Sequence, residues 1–127
     1  MNIGRVVPLI ALGVLALGAT AFAQTPTGDA AAGEKIFNQC KACHSVKAGE
    51  NRVGPSLHGV IGRKAGAAEG FKYSDAMKTS GVIWTPENID KYLADPKGFI
   101  PGNKMAFAGL KKPEDRQNVL AYLAQQK

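Results

Sequence analysis

The chain has 127 residues, and 16 Lys and Arg against 10 Asp and Glu give a formal net charge of +6. This length predicts one domain. The basic residues are spread along the chain instead of forming an arginine-rich tract, which argues against a nucleic-acid-binding protein. A moderate positive charge is instead suited to association with acidic protein partners.

The N-terminus combines a short basic start with an uncharged, largely apolar stretch, Val6 to Ala23. The stretch ends in Ala21-Phe22-Ala23, a small-residue pattern that predicts cleavage before Gln24. A membrane anchor is the alternative, because the stretch is just long enough to span a bilayer. Its two glycines and its proline favour removal. Residues 1–23 are therefore predicted to be a cleavable signal peptide, and residues 24–127 the mature domain.

The first predicted helix begins after Asp29 and covers the alanine-rich stretch from Ala30 to Gln39, with Ile36 and Phe37 at helical spacing. Beyond His44, glycines follow one another too closely for long regular elements. Nothing in this part of the sequence shows the alternation of a β-strand.

Three more helices are predicted further along the chain. Ser74 to Thr79 is typical of a short one, and Thr85-Pro86 of a helix N-terminus whose helix ends at Pro96. The stretch from Gly98 to Gly109 is predicted to be irregular, and Pro113 to begin the last helix. The class is thus all-α, with three main helices and long loops. Loops this long are usually functional, and so small a chain often needs a metal or cofactor.

The chemistry is carried by Cys40-Lys41-Ala42-Cys43-His44, the C-x-x-C-H pattern of c-type haem attachment. Two residues between the cysteines, on a helical turn, bring both thiols to the same edge of the haem. Each sulfur then adds to one of its two vinyl groups. The histidine that follows directs its imidazole at the iron. The motif therefore predicts one covalent haem c with His44 as an axial ligand.

Three other interpretations of the cysteines are weaker. A zinc site would need four ligands, and only Cys40, Cys43, His44 and His58 are available. A thioredoxin-like dithiol needs a preceding strand in an α/β chain. A disulfide is possible in an exported protein but would leave His44 without a role.

The second axial position has three candidates: His58, Met105 and Met77. An isolated histidine or methionine usually belongs to the packing. Met105, however, lies in a loop rich in proline and glycine, where core packing does not account for it.

The similarity to known proteins extends from Gly28 to Lys127. It is carried by Cys40 to His44, Gly54-Pro55-Ser56-Leu57-His58-Gly59, Gly62-Arg63-Lys64, Gly70-Phe71-Lys72-Tyr73, Trp84, Tyr92-Leu93, Ile100 to Met105, Phe107-Ala108-Gly109 and Ala121-Tyr122-Leu123. In these stretches the chain resembles the mitochondrial cytochrome c family and its bacterial relatives, often called cytochrome c2. The resemblance implies a class I cytochrome c fold, in which three main helices, short helices and long loops surround one covalent haem. It also implies Met105 as the sixth ligand, with His58 not a ligand.

The resemblance further assigns residues to the haem pocket. Pro55 would accept a hydrogen bond from the far ring nitrogen of His44, and Tyr92 would lie near the Met105 sulfur. Haem propionates would be bound by Arg63, Tyr73 and Trp84, and Phe107 would cover the haem near its exposed edge. Gly33 and Tyr122 would lie where the first and last helices cross.

Two residues depart from the family pattern. Met77 replaces a frequent asparagine near the propionates, and Asn103 replaces a common threonine beside the ligand loop. Their effect on the haem surroundings stays open at this point.

A histidine–methionine pair favours Fe(II) and leaves no open coordination position, which implies an electron carrier and not an enzyme. The resemblance implies that the protein is monomeric and periplasmic. It also implies that a basic face of the protein docks on its partners. The residues of this face are Lys35, Lys41, Lys97, Lys104, Lys111 and Lys112. The implied donor is quinol–cytochrome c reductase, and the acceptor is a terminal oxidase or a photosynthetic reaction centre. The alternatives are a haem enzyme or gas sensor with an open sixth position, and a haem subunit tethered by residues 1–23.

Overall fold

The computed structural model describes Gly13 and residues 26–127, and this part of the chain is helical. Its elements are α1 (Ala30–Phe37), α2 (Asp75–Thr79), α3 (Pro86–Ala94), α4 (Pro96–Phe99) and α5 (Pro113–Ala124). The strand-like pairing among the described residues is one antiparallel bridge between Lys64 and Ile83. The predicted all-α class, with three main helices, is confirmed. The predicted signal peptide and its cleavage point before Gln24 lie outside the described residues.

Side-chain caps determine where several helices begin. An Asp29 carboxylate oxygen accepts from Ala31 N–H at 2.9 Å, and Ser74 Oγ accepts from Met77 N–H at 3.1 Å. Thr85 Oγ1 accepts from Asn88 N–H at 3.2 Å. Each cap satisfies a backbone donor that has no partner within its helix. These helix starts agree with those predicted from the sequence.

The segment after α3 differs from the prediction. Pro96 was predicted to end a helix and to lead into an irregular stretch, but it also begins α4. The Asp95 carboxylate accepts from Gly98 N–H at 3.1 Å, and proline is favoured at the first helical position, so one turn can form between two longer elements. Pro96 is fully buried, which anchors this turn in the core.

The crossing of α1 and α5 is the most extensive contact between helices. A Cβ atom at Gly33 would lie 1.9 Å from the backbone oxygen of Asn118, so only glycine allows this close approach. The ring centroids of Phe37 and Tyr122 are 5.3 Å apart beside it. The predicted position of Gly33 and Tyr122 at the crossing is confirmed.

The long loop between α4 and α5 returns against α3. Leu110 N–H donates to Leu93 O at 2.7 Å. Gly109 precedes it with a φ of 114°, and a Cβ there would lie 2.7 Å from Ala94 O. Both observations require glycine. This return holds the loop that carries Met105 and Phe107 beside α3.

The buried core is built from α1, α3, α5 and the loops between them. Phe37, Val119 and Leu120 are the most deeply buried of its hydrophobic side chains. Phe37 and Val119 also form part of the wall of a large cavity. Among the described residues, no helix has the length and apolar character needed to cross a membrane.

Candidate cofactor site

A cavity of about 350 Å³, partly open to solvent, lies between the helices and the loops. Its walls are largely apolar and come from α1, α2, α3, α5 and the loops. Every residue that the sequence analysis assigned to haem or iron lines this cavity: Cys40, Cys43, His44, Pro55, Arg63, Tyr73, Trp84, Tyr92, Met105 and Phe107. The structure therefore brings together residues that are spread along the chain from Cys40 to Phe107.

The cysteine motif continues the helical path beyond the end of α1. Cys40 N–H donates to Phe37 O at 2.7 Å, and His44 N–H donates to Cys40 O at 2.8 Å. Both cysteines are half-buried free thiols. Burial, reinforced by Cys43, raises the pKa of Cys40 to about 11. Since the thiolate is the form that attacks a disulfide, this environment slows thiol–disulfide exchange at Cys40.

The His44 ring is held in one orientation by the segment that follows it. Nδ1 donates to Pro55 O at 2.8 Å, which leaves Nε2 as the free acceptor of a neutral imidazole. Burial lowers the pKa of His44, which further favours the neutral ring. A Cβ at Gly54 would lie 2.3 Å from the ring carbon Cε1. Glycine at this position therefore leaves the space that the imidazole fills.

Met105 reaches the same cavity from the loop after α4. Its N–H donates to the Asn103 side-chain oxygen at 2.9 Å, and its sulfur lies 3.9 Å from the Tyr92 hydroxyl oxygen. Burial raises the pKa of Tyr92 to about 12, so the hydroxyl keeps its proton and donates to the sulfur. The Trp84 ring, with its centroid 5.0 Å from that of Tyr92, supports the phenol.

One end of the cavity contains polar groups with unused hydrogen-bonding capacity. Arg63 donates to Ser56 O at 2.9 Å and to His58 O at 3.2 Å, but its Nε is buried without a partner among the described residues. Tyr73 Oη accepts from Ala68 N–H at 3.0 Å, which leaves its own proton free to donate. Because buried donors are nearly always paired, these groups point to an acidic group of a bound molecule.

His58 and Met77 take different positions. His58 does not line the cavity, and its Nδ1 lies 3.1 Å from Val46 O, as expected for a structural histidine. Met77 lines the cavity but offers no strong donor there. In the described part of the chain, no group of three or more His, Cys, Asp or Glu side chains could hold a metal ion.

Several residues at the site were not assigned a role from the sequence. Val53 lines the cavity although it is 78% exposed, and Lys72 lines it as well. Gly54 owes its role to a ring ten positions earlier in the chain, and Asn103 to its contacts with α4. No local sequence pattern reveals such contacts, because they depend on the path that the intervening loops take in the folded chain.

The cavity fits a haem that is bound through thioether bonds. It offers two thiols at the required spacing, an imidazole nitrogen, a thioether sulfur, apolar walls and an arginine whose Nε has no partner. A haem is a flat apolar ring with two carboxylates, so each of these groups has a counterpart on it.

Comparisons with known proteins agree with this fit. The family model described as Cytochrome c matches residues 30–127. The chain is 64% identical over 87 residues to cytochrome c2 iso-2 of Magnetospirillum fulvum, covering 68% of this chain and 91% of that protein. It is 52% identical over 100 residues to cytochrome c2 of Rhodomicrobium vannielii, covering 78% of this chain and 80% of that protein.

The fold is also similar to a solved structure. Cytochrome cH from Methylobacterium extorquens superimposes with a TM-score of 0.74 at 50% identity, over 76% of this chain and 98% of that one. With the family match across residues 30–127, this similarity establishes the fold as that of class I cytochromes. The chain therefore belongs to the cytochrome c family, whose members are electron carriers with one covalent haem c and not enzymes.

Proposed function

We propose that this protein is a periplasmic one-electron carrier whose haem iron is bound on its two axial sides by His44 and Met105. The observation that carries the proposal is that the free Nε2 of His44 and the sulfur of Met105 reach the same cavity as the two thiols. When bound, haem c supplies an iron that alternates between Fe(III) and Fe(II).

His44 acts as the fixed ligand. The Pro55 carbonyl holds the proton on Nδ1 and so directs the lone pair of Nε2 towards the cavity. A hydrogen bond of this kind also increases the basicity of a ligating imidazole. Gly54 leaves the space that the ring fills, so the imidazole can lie against this segment without a steric clash.

Met105 determines the redox character. A soft thioether stabilises Fe(II) more than Fe(III), which raises the reduction potential. The Tyr92 hydroxyl, 3.9 Å from the sulfur, limits where the sulfur lies. If His44 and Met105 both bind the iron, oxygen and other small ligands would find no free position. The site is thus suited to electron transfer and not to catalysis.

Arg63, Tyr73 and Trp84 are the residues that would receive the haem propionates. The support is the unpartnered Arg63 Nε, the free Tyr73 proton and the buried position of Trp84 on the cavity wall. Pairing a buried guanidinium with a carboxylate avoids the cost of leaving either charge alone in the interior. Pro55, Tyr92 and Phe107 complete the pocket.

The absorption spectrum of the purified haem protein tests the proposed ligation. The oxidised protein should show the charge-transfer band of a methionine sulfur bound to ferric iron, and cyanide should remove the band only slowly. If the haem is covalent but the band is missing and cyanide binds at once, the sixth position is open. A gas-binding or enzymatic role would then replace the carrier.

The partners are proposed to be a quinol–cytochrome c reductase as donor and a terminal oxidase or photosynthetic reaction centre as acceptor. The basic face of Lys35, Lys41, Lys97, Lys104, Lys111 and Lys112 would dock on their acidic surfaces, and all six lysines are exposed. Lys104 also lies at the cavity edge. Charge attraction of this kind accelerates encounter and weakens as salt is added.

Lys104→Gln should slow bimolecular electron transfer with the reductase by about threefold to tenfold at low ionic strength, and the difference should disappear at high salt. Stopped-flow kinetics across a salt series measures this effect. Lys91→Gln is the matched control, because Lys91 is exposed but does not line the haem cavity. An equal loss in both variants would mean that net charge, and not a docking face, governs association.

Residues 1–23 are proposed to be the export signal, and residues 24–127 the mature domain. The support is the uncharged stretch that ends in Ala21-Phe22-Ala23, and haem attachment through cysteines is consistent with a periplasmic location. The mass of the exported protein tests this assignment. A polypeptide that begins at Gln24 agrees with it, whereas one that retains Met1 indicates a tethered haem protein.

A further inference from the structure

Asn103 is a buried amide in the loop that carries Met105. It is only 4% exposed, and both ends of its side chain are used. Nδ2 donates to Pro96 O and to Ile100 O, each at 2.8 Å. Oδ1 accepts from Met105 N–H at 2.9 Å. One side chain therefore joins both ends of α4 to the backbone of Met105.

The turn that Asn103 holds is itself firmly anchored. Pro96 is fully buried and begins α4, and Ile100, at 3% exposure, follows its last residue. The Lys97 ammonium donates to Asn103 O at 2.6 Å and closes the loop from outside. The loop is thus fixed to the core through α4, and Asn103 transmits that fixed position to Met105.

Among the groups that the Asn103 side chain contacts, the Met105 N–H depends on it most. Without the side chain, Pro96 O would still accept from Ile100 N–H at 3.1 Å, and Ile100 O from Asn103 N–H at 3.2 Å. The Met105 N–H has no other partner among the described residues and would be left unpaired. Because methionine is long and flexible, a sulfur on a loosened backbone would be presented less often in one position.

We infer that Asn103 is a positioning residue for the axial thioether: its amide fixes the Met105 backbone relative to α4 and so keeps the sulfur directed at the iron. The inference rests on the proposed ligation by Met105. It gives a role to Asn103, which replaces a common threonine of the family and whose effect could not be assigned from the sequence. Met105 is the residue that would bind the iron, and Asn103 acts on the iron only by positioning Met105.

Displacement of the sulfur by potassium cyanide tests this role on the haem-loaded protein. Asn103→Leu keeps the approximate volume and removes all three hydrogen bonds, so we expect displacement to be roughly tenfold faster and the thioether band weaker. Asn103→Ser should keep part of the wild-type behaviour, because its hydroxyl can still accept from Met105 N–H. We therefore expect a cyanide displacement rate between those of the wild type and Asn103→Leu.

Asn88→Leu is the matched control. Asn88 lies on α3 and its Nδ2 donates to Ile83 O at 2.8 Å, but neither residue lines the haem cavity. We expect this variant to lose global stability while cyanide displaces the sulfur at about the wild-type rate. A purely structural role for Asn103 would make the two leucine variants behave alike.

The possible failures are distinguishable. If the unsubstituted protein lacks the thioether band, the ligation by Met105 is wrong. If it has the band but Asn103→Leu exchanges at the wild-type rate, the positioning role is overturned and the ligation stands. If Asn103→Leu cannot be recovered with haem, Asn103→Ser decides: an unchanged rate overturns the inference, and a faster rate supports it.

Discussion

Replacing Met105 with alanine is expected to lower the reduction potential by a few tenths of a volt, since axial ligands spread haem potentials over about 0.8 V. The thioether is the soft ligand that favours Fe(II), and water or a hydroxide in its place favours Fe(III). The charge-transfer band should be lost, and cyanide should bind without a slow displacement step. Potentiometric titration and cyanide mixing measure these changes.

Met77→Ala provides the matched control, because Met77 is a second thioether on the wall of the same cavity. Met77 is only partly buried, so its truncation should reduce stability by about 0.5–3 kcal/mol, with the band retained. The two variants therefore separate ligation from packing. If the band disappears in Met77→Ala and survives in Met105→Ala, the sixth ligand has been assigned to the wrong methionine.

The double variant Cys40→Ser/Cys43→Ser is expected to lose covalent haem and, once freed of haem, to lose its helical structure. Without haem, the largely apolar cavity walls contributed by α1, α2, α3 and α5 would face water instead of packing against the ring. A small domain is stable by only about 5–15 kcal/mol, so the loss of this apolar contact is expected to be enough to unfold it. Haem staining after denaturing electrophoresis and far-ultraviolet circular dichroism measure the two effects.

The single variants Cys40→Ser and Cys43→Ser serve as controls for this prediction. Each keeps one thiol at the cavity, so one thioether bond can still form and the haem should remain attached. Both should be folded and less stable than the parent protein. A haem-free double variant with full helicity and cooperative unfolding would show that the fold does not depend on the haem.

Much of the fold could be predicted because its signals are local. Asp29, Ser74 and Thr85 cap helices through contacts within three residues along the chain, and the prolines at the helix starts act on their own turn. The exception, α4, shows the limit of such signals. Its single turn depends on the Asp95 cap and on the burial of Pro96, and burial is not a local property.

Part of the candidate site could be predicted from the sequence, and part could not. The C-x-x-C-H spacing alone indicates haem, because the thiols and the imidazole must act on one rigid molecule. Met105 could be singled out only as a methionine that packing does not explain, and the family resemblance made it the ligand. The place of Met105 on the cavity wall depends on α4, on Gly109 and on Tyr92, which meet only in the folded chain.

The sequence by itself determined the cofactor, the helical class and the family, since these follow from residue types at fixed spacings. Only the tertiary structure decided that Gly54 must lack a side chain beside His44, that Arg63 keeps a buried nitrogen unpaired, and that Asn103 ties Met105 to α4. The physical reason is that steric exclusion and hydrogen-bond pairing act between atoms close in space. These contacts span only two to ten positions along the chain, but they lie at loops whose path no local sequence pattern determines.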